Sequence, residues 1–215
     1  SIVNGNATRI NIGTDVLEQV VVNLRNEILN LGSSVLFEHK LVDLKYQNDK
    51  IALDIQTPDG YVSIDCDILL FAIGHSSRDT IRMLFDKNME LKQKPFSMGY
   101  RIEHKQSDIN FAQYGKFANQ NILSPADYHL VTHLDNGRSV YTFCMCPGGV
   151  VVPAMSEKNT IVTNGMSYSL RDGENANSAI LCTVETSDFP SDSPLAGIEL
   201  QEEYEKYAFA KNNSY

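Results

Sequence analysis

The chain has 215 residues, 42% of them hydrophobic, with 18 basic against 27 acidic side chains and a net charge of −9. That supports one large core or two small ones, and it argues against nonspecific binding to nucleic acid or an anionic membrane surface, both of which reward clustered Lys and Arg. No run reaches the roughly 20 apolar residues that cross a bilayer, and the opening Ser1–Asn6 lacks a signal peptide's charged and apolar regions, so a cytoplasmic protein handling a small molecule is expected, its oligomeric state left open.

Asp15 followed by Glu18 forms a capping-box pattern, and Leu17, Val20, Val21, Leu24, Ile28 and Leu31 recur at helical spacing up to Gly32. The spacing predicts an amphipathic helix over 15–31 that needs a sheet or core to lie on. Val35–Glu38, Leu41–Tyr46, Lys50–Gln56 and Tyr61–Asp65, separated by Asn48-Asp49 and Pro58-Asp59-Gly60, read as a β-meander. Ile68–Ile73 is wholly apolar and ends at Gly74, as a buried central strand would. A helix is expected from Ser76 or Ser77, a domain boundary near 88–95, a helix near Ser107–Tyr114 ending at Gly115, and a closing helix over Leu195–Phe209. Cys66, Cys144, Cys146 and Cys182 are too few and too unevenly spaced for a disulfide framework, so reduced thiols are expected.

Residues 141–177 carry the densest polar and glycine-rich chemistry. The strand ending at Cys144-Met145-Cys146 breaks at Pro147-Gly148-Gly149, and glycine permits another surface to come close to the backbone, which suits a bound cofactor or substrate. Cys144 and Cys146 alternate along the strand and are read as small side chains lining a pocket, since a zinc site wants four ligands and Cys66 and Cys182 stand alone. Asn164, Tyr168, Arg171, Glu174, Asn175 and Asn177 read as a substrate pocket with Arg171 as anion clamp, or as a long polar surface loop. Arg101 and His104 alternate with Ile102 and are taken to project from one strand, the Arg able to grip a carboxylate and the His to move a proton, with an exposed strand face as the alternative. His75 and Arg78 flank a helix start, where they orient an anion or simply cap the helix, Arg78 pairing with a carboxylate.

The order helix, Gly32, strand, meander, then Ile68–His75 resembles the middle of two-dinucleotide-binding flavoproteins, whose corresponding strand ends in Ala-Thr-Gly; here the triplet is Ala72-Ile73-Gly74. Gly74–Asp79, Lys94–His104, Cys144–Gly149, Thr163–Ser167 and Gly173–Ser178 extend the likeness, in order, to the bacterial FAD-dependent (NAD/FAD-utilizing) dehydrogenases, from Ile10 to Phe209. The resemblance implies an α+β or α/β fold. Residues 1–90 would be the inner segment of the FAD domain, 91–192 an inserted mixed-sheet substrate domain, and 193–215 a helix returning to the FAD domain. It implies hydride transfer between a small organic substrate and FAD, with NAD(P)H left open as a second cofactor. Leu41, Ala72, Gly74, His75 and Arg78 would lie at the cofactor, Arg101, His104 and Arg171 would be catalytic, and Cys144, Cys146, Gly148 and Gly149 would join the substrate pocket.

The family's Gly-x-Gly-x-x-Gly phosphate cradle does not occur here. The chain is therefore expected to be a central fragment, by itself inactive and without FAD. The alternative is a noncatalytic binding or accessory module that keeps the flavoprotein framework.

Overall fold

A computed structural model describes residues 2–3, 6–7, 13–120 and 122–212. Two short strands, β1 (Ile2–Val3) and β2 (Asn6–Ala7), pair antiparallel ahead of helix α1 (Thr14–Asn30). The helix ends where Gly32 takes φ 81°, its amide bonding the Leu29 carbonyl at 3.0 Å while Ser33 N–H reaches the Ile28 carbonyl at 3.2 Å. This paired closure satisfies the last carbonyls and needs a residue tolerant of the left-handed region. The apolar stripe forms as expected, yet no side chain of α1 is buried, and Leu24 and Leu31 are 61% and 75% exposed. The described residues do not provide the sheet or core that the helix was expected to cover.

β3 (Lys40–Gln47), β4 (Lys50–Thr57) and β5 (Gly60–Cys66) form the meander as an antiparallel sheet. Asn48 and Asp49, both at positive φ (52° and 59°), make the two-residue turn whose twist matches the flanking strands. Two expected strands are absent. Val35–Glu38 is interrupted where Glu38 enters the left-handed region at φ 57°. Ile68–Ile73 joins no ladder among the described residues, and Ile68 and Leu70 are 86% and 85% exposed. Hydrophobicity alone does not make a strand, which also requires neighbours for its N–H and C=O groups. Helix α2 (Arg78–Asp86) follows, with Ser77 at its N-cap.

After Pro95 come β6 (Phe96–Lys105), α3 (Gln106–Tyr114) ending at Gly115, β7 (Val131–His133), β8 (Ser139–Cys146), β9 (Val150–Pro153), β10 (Thr163–Met166), β11 (Asn175–Val184) and the closing helix α4 (Ala196–Asn212). The larger sheet has the order β6-β11-β8-β7, and β9 pairs with β10 in a separate two-stranded sheet. A mixed sheet was expected, but every described pairing is antiparallel. Parallel neighbours need crossovers of about a dozen residues or more, whereas β7 and β8 are joined by a tight turn at Gly137 (φ 81°). The fold is thus an α+β mix.

The chain divides into two compact units, one of Ser1–Asn26, Pro95–Asp188 and Glu203–Tyr215, the other of Glu27–Lys94 and Phe189–Glu202. The interior of the first is small and polar: Ala126, Cys146, Ala176, Asn177, Ser178 and Ala179 are buried, as are Gln106 and Thr160. No described helix is long and apolar enough to cross a membrane.

Candidate functional site

Gly148, Gly149 and Gly173 of the polar stretch are approached closely by the chain's own backbone. Gly148 sits at φ 54°, and a Cβ there would lie 1.9 Å from the Arg171 carbonyl oxygen. One on Gly149 would lie 2.3 Å from the Met166 carbonyl oxygen, and one on Gly173 would lie 2.5 Å from that of Gly148. The turn at Pro147–Gly149 and the 163–173 segment are thereby locked together, with Gly173 N–H bonding the Gly148 carbonyl at 3.2 Å.

The β8–β11 ladder decides the chemistry beside this turn. Asn177 pairs with Cys146 but Ala179 pairs with Phe143, so Ser178 stands opposite both Cys144 and Met145 in a bulge, with Cys144 at φ 49°. The bulge cancels the alternation expected of the two cysteines: Cys144 is exposed, and Cys146 is 7% exposed. It also leaves the Cys144 carbonyl accepting from Cys146 Sγ at 3.3 Å and from Arg101 Nη1 at 3.1 Å.

Arg101 stands opposite Ala179 on β11, two places from Asn177, so both project from one face. Arg101 Nη1 donates to Asn177 Oδ1 at 2.6 Å. Gly165 of β10 lies over this contact, where a Cβ would come within 2.3 Å of both atoms and 2.8 Å of Cys146 Sγ. Asn177 is 0% exposed, yet its Nδ2 meets no acceptor, and neither does the buried Nε of Arg101. Burial, with the neighbouring Cys144 next, pushes the Cys146 thiol up, so it is a protonated neighbour and not a ready nucleophile.

His104 projects, as expected, from the same strand as Arg101, but three residues later and therefore from the opposite face, so the two do not share a ligand surface. Its Nε2 lies 2.7 Å from the Tyr128 hydroxyl, with the rings 5.6 Å apart at 53°. Burial raises the Tyr128 pKa, against a smaller opposing effect of its bond to Ser178. Nδ1 of His104 is buried without a partner.

The other expected residues are more dispersed. Asn164 is exposed, its Oδ1 accepting from the Gly165 amide; Tyr168 is exposed; and Arg171, half-buried at φ 52°, bonds the Tyr168 carbonyl through its own amide. The Glu174 side chain is exposed while its carbonyl accepts from the Gln106 amide, and Asn175 donates to Glu103. In the other unit Leu41 is half-buried, Ala72 and His75 are exposed, and Gly74 (φ 68°) has nothing within 4 Å of a built Cβ. Arg78, 6% exposed, donates to Gln201 Oε1 at 3.3 Å and lies 3.9 Å from Glu202.

Gln106 gave no signal in the sequence. Buried at the start of α3, it donates to Asn110 Oδ1 and the Ala126 carbonyl and accepts from Gly148 N–H, each at 2.9 Å. It joins the Pro-Gly-Gly turn to the helix. A Glu-x-x-Gln or glycine pattern would not reveal such a residue, because its partners are 4 to 42 positions away. Among the described residues no three His, Cys, Asp or Glu side chains gather as a metal site.

Residues 95–215 match the family model for "FAD-dependent protein, C-terminal domain-like". A Clostridium beijerinckii protein described as uncharacterized is 47% identical over 203 residues, covering 94% of this chain and 38% of that protein. The chain thus spans well under half the length of this relative.

Proposed function

The chain belongs to the FAD-dependent protein, C-terminal domain-like family, and from that premise we propose that the intact protein is a flavin-dependent oxidoreductase acting on a small organic substrate. Bound flavin would supply the hydride acceptor or donor. One observation carries the assignment of the site: Arg101 is held by two neutral oxygens, with no carboxylate oxygen within 4 Å of it among the described residues. A cation so enclosed favours a partner rich in acceptors.

The donor set fits such a group. Nε of Arg101 and Nδ2 of Asn177 would hold carbonyl or carboxylate oxygens beside a flavin edge. Arg78 does not suit a phosphate-holding role, since Gln201 and Glu202 already engage it. His104 and Tyr128 form a separate proton-holding pair, and Arg171 stands as a second anion contact; NAD(P)H is the candidate reductant.

The complete reading frame should give a yellow protein with absorption near about 370 and 450 nm, as for a bound oxidised isoalloxazine. Release of the chromophore on denaturation identifies it, and anaerobic bleaching by NADH or NADPH tests the reductant. A colourless protein that takes up no added FAD would leave only a noncatalytic binding module.

A further inference from the structure

The orientation of the Arg101 head carries more than its charge. Nη1 has two protons, and both are used: one toward Asn177 Oδ1 at 2.6 Å, the other toward the Cys144 carbonyl at 3.1 Å. Arginine is a donor only, so the Asn177 atom it meets must be the oxygen, which fixes the amide's orientation and leaves Nδ2 as a buried donor. Nε and Nη2 then remain, and neither meets an acceptor among the described residues. In a guanidinium these two N–H groups lie side by side along one edge, forming the fork that matches the two oxygens of a carboxylate.

We propose that the Nε and Nη2 edge of Arg101, set by Asn177 and the bulged Cys144 carbonyl beneath Gly165, is a binding site for the carboxylate of a small organic acid. The inference rests on reading this as the substrate site of a flavin oxidoreductase, and it adds the class of that substrate. A planar two-oxygen group suits one fork and one amide. A phosphate dianion would need more donors than these. Nε of Arg101 and Nδ2 of Asn177 are themselves shut from solvent, while Arg101 as a whole is half-buried and the neighbouring Cys144 and Asn164 are exposed.

The test uses the complete protein, with calorimetric binding of a panel of mono- and dicarboxylates, their neutral amide counterparts and inorganic phosphate. At least one carboxylate should bind, and its amide should not. Arg101→Lys keeps the charge but loses the fork, and Asn177→Asp gives Arg101 an internal counter-ion; each should weaken that carboxylate about tenfold or more. Gly165→Ala should do the same by pushing the two heads apart. Melting temperature and flavin absorbance show that each variant is folded. Equal binding of acid and amide, binding of phosphate alone, or binding by folded Arg101→Lys at unchanged affinity each overturns the proposal, as does a panel that fails on a folded protein. A colourless protein that still binds acids through Arg101 overturns the oxidoreductase reading but not the carboxylate site. A yellow protein that ignores them does the reverse.

Discussion

At the scale of single residues, the first unit is organised by buried polar side chains whose bonds cross long sequence distances. Gln106 holds the carbonyl of Ala126, which is 3% exposed, and the amide of Gly148. In Gln106→Leu both groups lose their partner while remaining shut from water, at a cost of about 1–3 kcal/mol for each. Urea denaturation should show a lowered midpoint at unchanged slope, and an unchanged midpoint would mean that solvent reaches the turn. Arg101 differs from Gln106 in being incompletely satisfied. The buried Gln106 closes the structure, whereas the half-buried Arg101 is left with donors to offer.

At the scale of elements, β8 and β11 show how a bulge redistributes chemistry that alternation would have spread evenly. The far end of the same pair is fastened differently. Arg138, just before β8, forks onto both oxygens of Asp188 and also bonds the Thr183 carbonyl at 2.9 Å, while Glu185 N–H bonds Asp188 Oδ2 at 2.8 Å. The Arg138 contact, then the Glu185 amide, holds the Asp188 carboxyl below its ordinary 3.8. Because the folded value is depressed, the stabilisation is present above the unfolded value and fades as pH falls through the folded one. Asp188→Asn should therefore flatten the acid side of the stability profile below about pH 4. Denaturation midpoints across acid pH measure it, and parallel profiles for wild type and variant would show the pair to be energetically silent.

At the scale of the whole molecule, apolar surface remains uncovered. Leu24 on α1, Leu31 just after it, and Ile68 and Leu70 in the 68–73 run are 61–86% exposed. Surface of this kind favours association. The 215-residue chain expressed alone should bind a hydrophobic fluorescent dye and sediment as concentration-dependent oligomers, and the complete protein should do so far less. A monomeric, dye-silent chain would show that these residues are covered by a rearrangement within it.

The sequence by itself determined the local elements: the helical run up to Gly32, the Asn48-Asp49 hairpin, α3 stopping at Gly115, and the long closing helix, whereas the expected Asp15-Glu18 capping box is replaced by Asp15 inside α1 accepting from the Ser169 amide and hydroxyl. Periodicity and turn chemistry act over a few residues, so they are written where they act. It also marked Arg101, Cys146 and Asn177 as chemically interesting. Only the tertiary structure decided that the first and third share a face, that His104 does not, and that the glycines receive Arg171 and Met166 backbone. Those outcomes hang on the register of β6, β8 and β11, and one bulged residue reverses every side chain beyond it. The exposed 68–73 run has the same origin in reverse: its composition suits a buried strand, but pairing is supplied by other segments, and no local pattern contains them.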